Sequence, residues 1–342
     1  MPPQLNHILI CRTDNIGDVV LSLPLAGYLK QRFPGVRVDL LCSAYAAPVA
    51  RRCRHLDQVY ALEQVGDPAA FFAAHGADTV IFAMPNRRLA QAARRARVRN
   101  RVGTSHRLFH WIHCNRLAHF GRAHSALHEA QLNFALLRPL GVDEIPPLAS
   151  LPPLYGLTAP QRDDVAALRA ATPHAVILHP KSNGNGREWP LAHYTELARR
   201  LQARPDVRLW VTGSAAEGAL LAAQAPALLA LPNVDNLCGR YDLEGLCALI
   251  GASTGLVASG TGPLHMSAAL GQPTLGLFPP RKPIDAARWG ALGVRARSLT
   301  MAGECAGCRD AATCTCMHAI TPAQVEQAVL DWCAPVIDQE AV

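Results

Sequence analysis

The chain has 342 residues, half of them apolar and 17% charged, with a formal net charge of +7. Such a composition excludes a disordered chain and leaves room for two folded domains. The longest apolar stretch, Leu220 to Leu231, is broken by Gln224 and Pro226 and is too short to span a bilayer.

In chain order, His7 to Arg12 reads as a buried strand and Val19 to Phe33 as a helix. Val36 to Cys42 is a second strand, Tyr45 to Cys53 a helix, and Gln58 to Leu62 a short strand. Asp78 to Ala83 is another strand, followed by a basic helix from Arg87 to about Arg97, and Ser125 to Leu140 reads as a long helix. Continuous apolar strands separated by helices indicate parallel sheets covered on both faces. The stretch "GVDEIPPLASLPPLYGLTAP", residues 141 to 160, holds five prolines and reads as a linker. The alternation then restarts with strands His174 to His179, Val207 to Thr212, Gly255 to Ser259 and Thr274 to Phe278. Helices are expected from Leu191, after Ala215 and from Pro263. Two similar α/β domains facing a central cleft follow, with ligands beyond the carboxyl ends of the strands.

Several loops at those ends carry chemistry. "RTDNIGDVVLSLP", residues 12 to 24, leaves the first strand and sets Asp14 and Asp18 astride Gly17. Read locally, Asp14 or Asn15 caps the helix and Asp18 favours its positive first turn; the other reading has Asp18 face a cleft and take a proton. "HPKSNGNGREWP", residues 179 to 190, combines two glycines with Lys181, Ser182, Asn183 and Arg187, which suits a diphosphate without the spacing of a Walker loop. "SGTGPLH" ends a strand and starts a helix, so Thr261, Gly262 and His265 stand at a second anion-ready helix start. Glu217, after "VTGSAA", is placed either to accept from a ribose or to lie solvated in a first helical turn. From Thr79 to His128 there is no acidic residue and there are ten arginines, a tract that expects an anionic partner or forms a solvated face. His106, His110 and His113 recur within it at helical spacing.

The ordered set "IGDVVLSLP", "HPKSNGNGREWP", "VTGSAAE" and "SGTGPLHMSAALGQPTLGLF", with "GTSHRLFHWIHCNRL" and "LHEAQLNFALLRPLG" between, resembles the family 9 glycosyltransferases, the ADP-heptose:lipopolysaccharide heptosyltransferases. The resemblance implies a GT-B fold of two Rossmann-like doubly wound domains. Residues 1–150 would bind the acceptor and 151–320 the nucleotide sugar, with a closing helix in 321–342 packing back towards the first domain. It implies inverting transfer of heptose from ADP-heptose to a Kdo/heptose inner-core acceptor, with no cofactor for catalysis. Asp18 falls on the family's candidate general base. Lys181, Ser182, Asn183, Arg187, Glu217, Thr261, Gly262 and His265 fall to the donor. Asp14, Asn15, Arg94, Arg95, Arg97 and His106 fall to the phosphorylated acceptor, with peripheral contact to the inner membrane surface. The chain departs from the pattern in two places. Arg187-Glu188 stands where a lysine commonly precedes the Trp-Pro pair, and Gly260 stands where an aspartate precedes Thr-Gly. The second departure leaves the donor sugar open, so a transferase using another nucleotide sugar is the alternative. A sugar-nucleotide epimerase and a non-enzymatic anion-binding protein are weaker readings; no nucleic-acid-binding signature accompanies the arginines.

Eleven cysteines in a chain with no basic, apolar, cleavable leader read as reduced thiols of a cytoplasmic protein. Four of them cluster in "CAGCRDAATCTC". Cys305, Cys308, Cys314 and Cys316 either form a structural zinc or iron site, expected far from the transfer chemistry, or stay as free thiols.

Overall fold

The computed structural model describes residues 5–122, 125–182, 184, 186–303, 305, 308 and 314–334. The chain divides into two units, Met1–Thr158 and Ala159–Val342.

The first unit carries strands β1 (His7–Cys11), β2 (Arg37–Cys42), β3 (Gln58–Ala61), β4 (Thr79–Phe82), β5 (Asn100–Thr104) and β6 (Arg116–Ala118). They form one parallel sheet in the order β3-β2-β1-β4-β5-β6. Its helices are α1 (Ile16–Arg32), α2 (Ala47–Ala50), α3 (Pro68–His75), α4 (Arg87–Arg95), α5 (Leu108–His113) and α6 (Glu129–Phe134). The inner strands read as unbroken apolar runs because helices cover both faces. The connection from β1 goes to β2 on one side, and β4 lies on the other, so the strand order reverses at β1/β4. Such a switch point opens a crevice at the carboxyl ends of the strands.

The expected helix from Ser125 to Leu140 is shorter: α6 ends at Phe134 and a 3₁₀ segment, Ala135–Leu140, follows. Pro139 lacks the N–H that an α-helix would use there. The proline-rich stretch is docked on the first unit as far as Thr158. Leu151, Leu154 and Tyr155 are buried, and Leu157 bridges Cys53. A Cβ on Gly27 of α1 would lie 2.2 Å from the Leu154 oxygen, so the close approach requires glycine.

At the amino edge of this sheet, Asp39 on β2 is fully buried. Its Oδ2 accepts from His7 Nε2 and His75 Nε2, both at 2.9 Å, and Arg37 holds both carboxylate oxygens. Burial alone would raise this carboxyl; the donors from His75, Arg37 and His7 outweigh it and hold it well below the usual carboxylate range.

The second unit repeats the plan with β7 (His174–His179), β8 (Val207–Val211), β9 (Val234–Asn236), β10 (Gly255–Ser259), β11 (Thr274–Leu277) and β12 (Ala296–Leu299). The parallel order is β12-β11-β10-β7-β8-β9, which puts a second switch point at β7/β10. Its helices are α7 (Asp163–Ala170), α8 (Leu191–Arg200), α9 (Ala215–Gln224), α10 (Pro226–Leu229), α11 (Leu243–Ala252), α12 (Gly262–Ala269), α13 (Ala286–Trp289) and α14 (Pro322–Trp332). Of segment 321–342, expected to return to the first domain, helix α14 buries Val325, Ala328 and Val329 in the core of the second unit. Residues 335–342 lie outside the described residues. No helix among the described residues is long and apolar enough to cross a membrane.

Candidate active site

In the first unit the site is built around a guanidinium that sequence reasoning passes over. Arg12 follows β1 and is 2% exposed. Its Nη1 donates to the Ala83 carbonyl at 3.2 Å, beyond the end of neighbouring β4, and to Asn133 Oδ1 at 3.4 Å. Nε meets Asp14 Oδ1 at 2.8 Å, while Nη2 pairs with Asp18 Oδ1 and stands 3.6 Å from Glu129 Oε1. Arg122 also pairs with Glu129 and donates to the Ala83 carbonyl at 3.3 Å. Three carboxylates thus share two guanidiniums at the β1/β4 switch point.

The capping reading of the opening loop is not realised. Asn15 occupies the N-cap of α1 without a side-chain cap bond, and Asp14 turns to Arg12. Burial pushes the Asp14 carboxyl up, opposed by Arg12 and reinforced by Asp18. Asp18 sits in the first turn of α1, where the helix dipole favours a negative charge. Arg12 fixes its Oδ1, and Oδ2 has no partner among the described residues. A carboxylate anchored through one oxygen and open through the other is suited to accept a proton.

The arginines of the basic helix divide. α4 runs back along the sheet from the end of β4, so Arg87 and Arg88 start at the carboxyl edge, while Arg94 and Arg95 lie at the far end. Arg97, with φ of 57°, forms the left-handed turn that closes the helix. The direction of the helix therefore puts Arg94, Arg95 and Arg97, which the resemblance assigns to the acceptor, at the end of α4 away from the carboxyl edge that carries Asp18. His106 is exposed at the carboxyl edge, after β5. Its helical partners behave otherwise: α5 buries His110 and His113 and exposes Leu108 (86%), Trp111 (57%) and Ile112 (61%). Arg94 Nη1 donates to the Ile112 carbonyl at 2.8 Å, joining the two helices.

In the second unit the two glycine loops meet at the β7/β10 switch point. The Trp189 N–H donates to Ser259 Oγ at 3.1 Å and its fully buried indole to the Ile320 carbonyl at 2.8 Å, which pins the first loop. A Cβ on Gly186 would lie 3.1 Å from the Gly260 oxygen, and one on Gly260 would lie 3.0 Å from Phe278 Cε1. An aspartate at 260 would have to displace that ring.

Glu188 reshapes the expected phosphate loop. It takes Lys181 Nζ at 2.6 Å and the Ser182 N–H at 2.7 Å, which neutralises the lysine. Arg187 remains, its buried Nε without a hydrogen-bond partner among the described residues. Thr261 Oγ1 is likewise buried without a partner, at the N-cap of α12. The first N–H groups of α12 are left for an anion, with Gly262 at its start and buried His265 in its first two turns. Glu217 is committed to a capping box: its Oε2 accepts the Ser214 N–H at 2.7 Å and Ser214 Oγ accepts its own N–H at 3.2 Å. Asn183 lies outside the described residues. A residue missed in the sequence is Arg281, on the loop after β11, which shares an acceptor with Arg187.

That acceptor belongs to the cysteine cluster. The Cys308 carbonyl receives Arg187 Nη2 at 3.3 Å and also Arg281 Nη1. The cluster, expected far from the transfer chemistry, is therefore joined to the anion-ready loop. The four Sγ atoms all lie within 4.8 Å of one another, and none of the four is in a disulfide. Burial pushes the Cys308 thiol up to about 11.

A family model of glycosyltransferase family 9 (heptosyltransferase) matches residues 115–318. Lipopolysaccharide heptosyltransferase 1 of Pseudomonas aeruginosa is 36% identical over 169 residues, covering 47% of this chain and 42% of that protein. Two solved structures share the fold. Escherichia coli ADP-heptose lipopolysaccharide heptosyltransferase II aligns with a TM-score of 0.71 at 19% identity, over 96% of this chain and 98% of that one. A family 9 glycosyltransferase from Veillonella parvula aligns with a TM-score of 0.74 at 18% identity, over 97% and 98%. Three of the four motifs in the ordered set, and Glu129, fall within the matched span, and the two parallel-sheet units match the GT-B heptosyltransferases: the chain belongs to glycosyltransferase family 9, the heptosyltransferases, and is a glycosyltransferase.

Proposed function

We propose that this enzyme transfers heptose from ADP-heptose, with inversion and without a catalytic metal, to a hydroxyl of the phosphorylated Kdo/heptose inner core of lipopolysaccharide. The observation that carries the reading is Asp18, held through Oδ1 by Arg12 with Oδ2 open. In direct displacement Oδ2 takes the acceptor hydroxyl proton as the oxygen attacks the anomeric carbon, and the diphosphate leaves with the bonding pair. Asp14, Asn15 and His106, on the same edge of the first sheet, bind the acceptor. The decisive experiment is a calorimetric titration with ADP-heptose, UDP-sugars and GDP-sugars, followed by a transfer assay with the sugar that binds. Tight binding of only a UDP- or GDP-sugar replaces the donor and keeps the reaction class.

The donor diphosphate is assigned to Arg187, Thr261 and the start of α12, whose unpaired donors support the reading. Lys181 and Ser182 shape the loop through Glu188, Gly262 and His265 complete the α12 wall, and the cysteine cluster is a structural zinc or iron site. Arg187→Ala should weaken ADP binding by about 1–3 kcal/mol, with a smaller loss for Thr261→Ala. Unchanged affinity in both variants puts the donor elsewhere.

The enzyme works in the cytoplasm at the inner membrane surface, and α5 supplies the contact. A helix that buries two histidines while exposing Leu108, Trp111 and Ile112 is reversed for a soluble protein, and it lies beside Arg94 of α4. Apolar side chains rimmed by arginine match an anionic bilayer. Leu108→Ser with Ile112→Ser should lower sedimentation with phosphatidylglycerol vesicles at least tenfold, since each buried aliphatic side chain contributes about 1.5–3 kcal/mol. Equal binding of variant and wild type removes α5 from the membrane.

A further inference from the structure

We propose that Cys305, Cys308, Cys314 and Cys316 bind one tetrahedral zinc or iron(II) ion, and that this ion fixes the Cys308 carbonyl on which Arg187 and Arg281 are positioned for the donor diphosphate. The inference rests on the donor and metal readings above and adds the dependence of one on the other. A metal–thiolate bond of about 2.3 Å sets the edge of a regular tetrahedron of sulfurs at about 3.8 Å. The Sγ distances are 3.9 Å for Cys305–Cys314, 3.7 Å for Cys308–Cys314 and 3.6 Å for Cys308–Cys316. The Cys314–Cys316 pair, separated by one residue in a Cys-x-Cys step, is tighter at 3.0 Å and must open to admit an ion. Disulfides would need sulfurs at about 2.05 Å, and none of the four cysteines is in one. An all-sulfur donor set selects a thiophilic ion over magnesium or calcium. Binding exchanges thiol protons for the ion, with the protons going to solvent and no change of oxidation state.

The link to the donor loop runs through one atom. The Cys308 carbonyl oxygen accepts from Arg187 on the β7 loop and from Arg281 on the β11 loop, two cations that would otherwise repel. Arg187 uses Nη2 for this contact and keeps its Nε without a partner among the described residues. Cys308 is a ligand through its sulfur and an acceptor through its own carbonyl, so the ion and the guanidiniums are held by the same residue. Without the ion the four thiols are joined only by packing and weak S–H···S contacts, so the carbonyl is held less firmly. Cys308 and Arg281 are then positioning residues for nucleotide affinity.

The test uses the full chain. Metal analysis of the purified protein should find about one zinc or iron per chain, and cobalt replacement should give thiolate-to-cobalt absorption. Cys308→Ser with Cys316→Ser should lose both signals. Chelator-stripped wild type should bind ADP about tenfold more weakly and recover on reloading, the scale of losing one well-placed hydrogen bond to a charged group. Arg281→Ala should reproduce the loss of affinity while keeping the metal and the melting temperature, which a merely structural role would not predict. No metal and no cobalt band in the wild type overturns the site. Metal present with ADP affinity indifferent to stripping and to Arg281→Ala overturns the coupling alone. Loaded wild type that fails to bind ADP overturns the donor reading and the coupling, while the metal content still decides the site.

Discussion

Asp18→Asn is expected to lower kcat by about 10²-fold or more while leaving ADP affinity nearly unchanged. The amide keeps the size of the side chain and can still accept from Arg12, so the pairing geometry survives. What it lacks is the second carboxylate oxygen that receives a proton, and Oδ2 is the atom left open in the structure. Folding should change little, because Arg12 retains Asp14 and stays near Glu129. A transfer assay at saturating donor and acceptor, paired with an ADP titration, checks both halves. Near-normal turnover removes Asp18 from the reaction; a collapsed melting temperature turns it into a folding residue.

Arg12→Met is expected to cost about 3–5 kcal/mol of stability at neutral pH, the scale for removing one partner from a buried ion cluster. Methionine fills much of the volume but leaves Asp14 and Asp18 without the cation they share, while Glu129 keeps its pairing with Arg122. Burial already raises the Asp14 carboxyl, and the loss of Arg12 removes the main opposing influence. A carboxyl raised in the folded state stabilises below its unfolded value and loses that contribution as pH rises through the folded value. The deficit of the variant should therefore be full near neutrality and shrink as pH falls towards the ordinary carboxylate value near 4. Urea melts of both proteins at several pH values measure it; a pH-independent deficit would mean that lost packing, not charge, is responsible.

The parts of the site written in consecutive residues were legible. The loop before α1, the two glycine loops and the cysteine run each announce themselves through spacing, and the alternation of strands and helices disclosed both sheets. Relations across the fold were not. Arg12 looks like one more arginine until β4 and α6 bring Ala83, Asn133 and Glu129 to it. Glu188 looked like a neighbour of Arg187, but its action is to neutralise Lys181. By composition the basic tract reads as one surface, since composition carries no direction; α4 separates Arg87 and Arg88 from Arg94 and Arg95 by its own length. Strand β5, "NRVGT", lacks an apolar run and gives no periodic signal, although its Val102 and Gly103 are buried. α11, "LEGLCALIGA", is apolar over most of its surface and has little amphipathic contrast.

The buried Asp39 has a consequence for how the first sheet finds its pairing. Strands covered on both faces offer apolar side chains at every position, so sliding β2 against β1 would exchange one aliphatic contact for another at small loss. Asp39 ends that degeneracy. In the observed alignment it lies opposite Leu9 and reaches His7, Arg37 and His75. Arg37 travels with β2, but any shifted alignment would take the carboxylate away from His7 on β1 and His75 on α3 and leave it among Val, Leu and Ile, a penalty of several kcal/mol. The charge is therefore an index mark: it separates one strand alignment from its near-equals, and with it fixes where the end of β1, and Arg12 just beyond it, comes to rest.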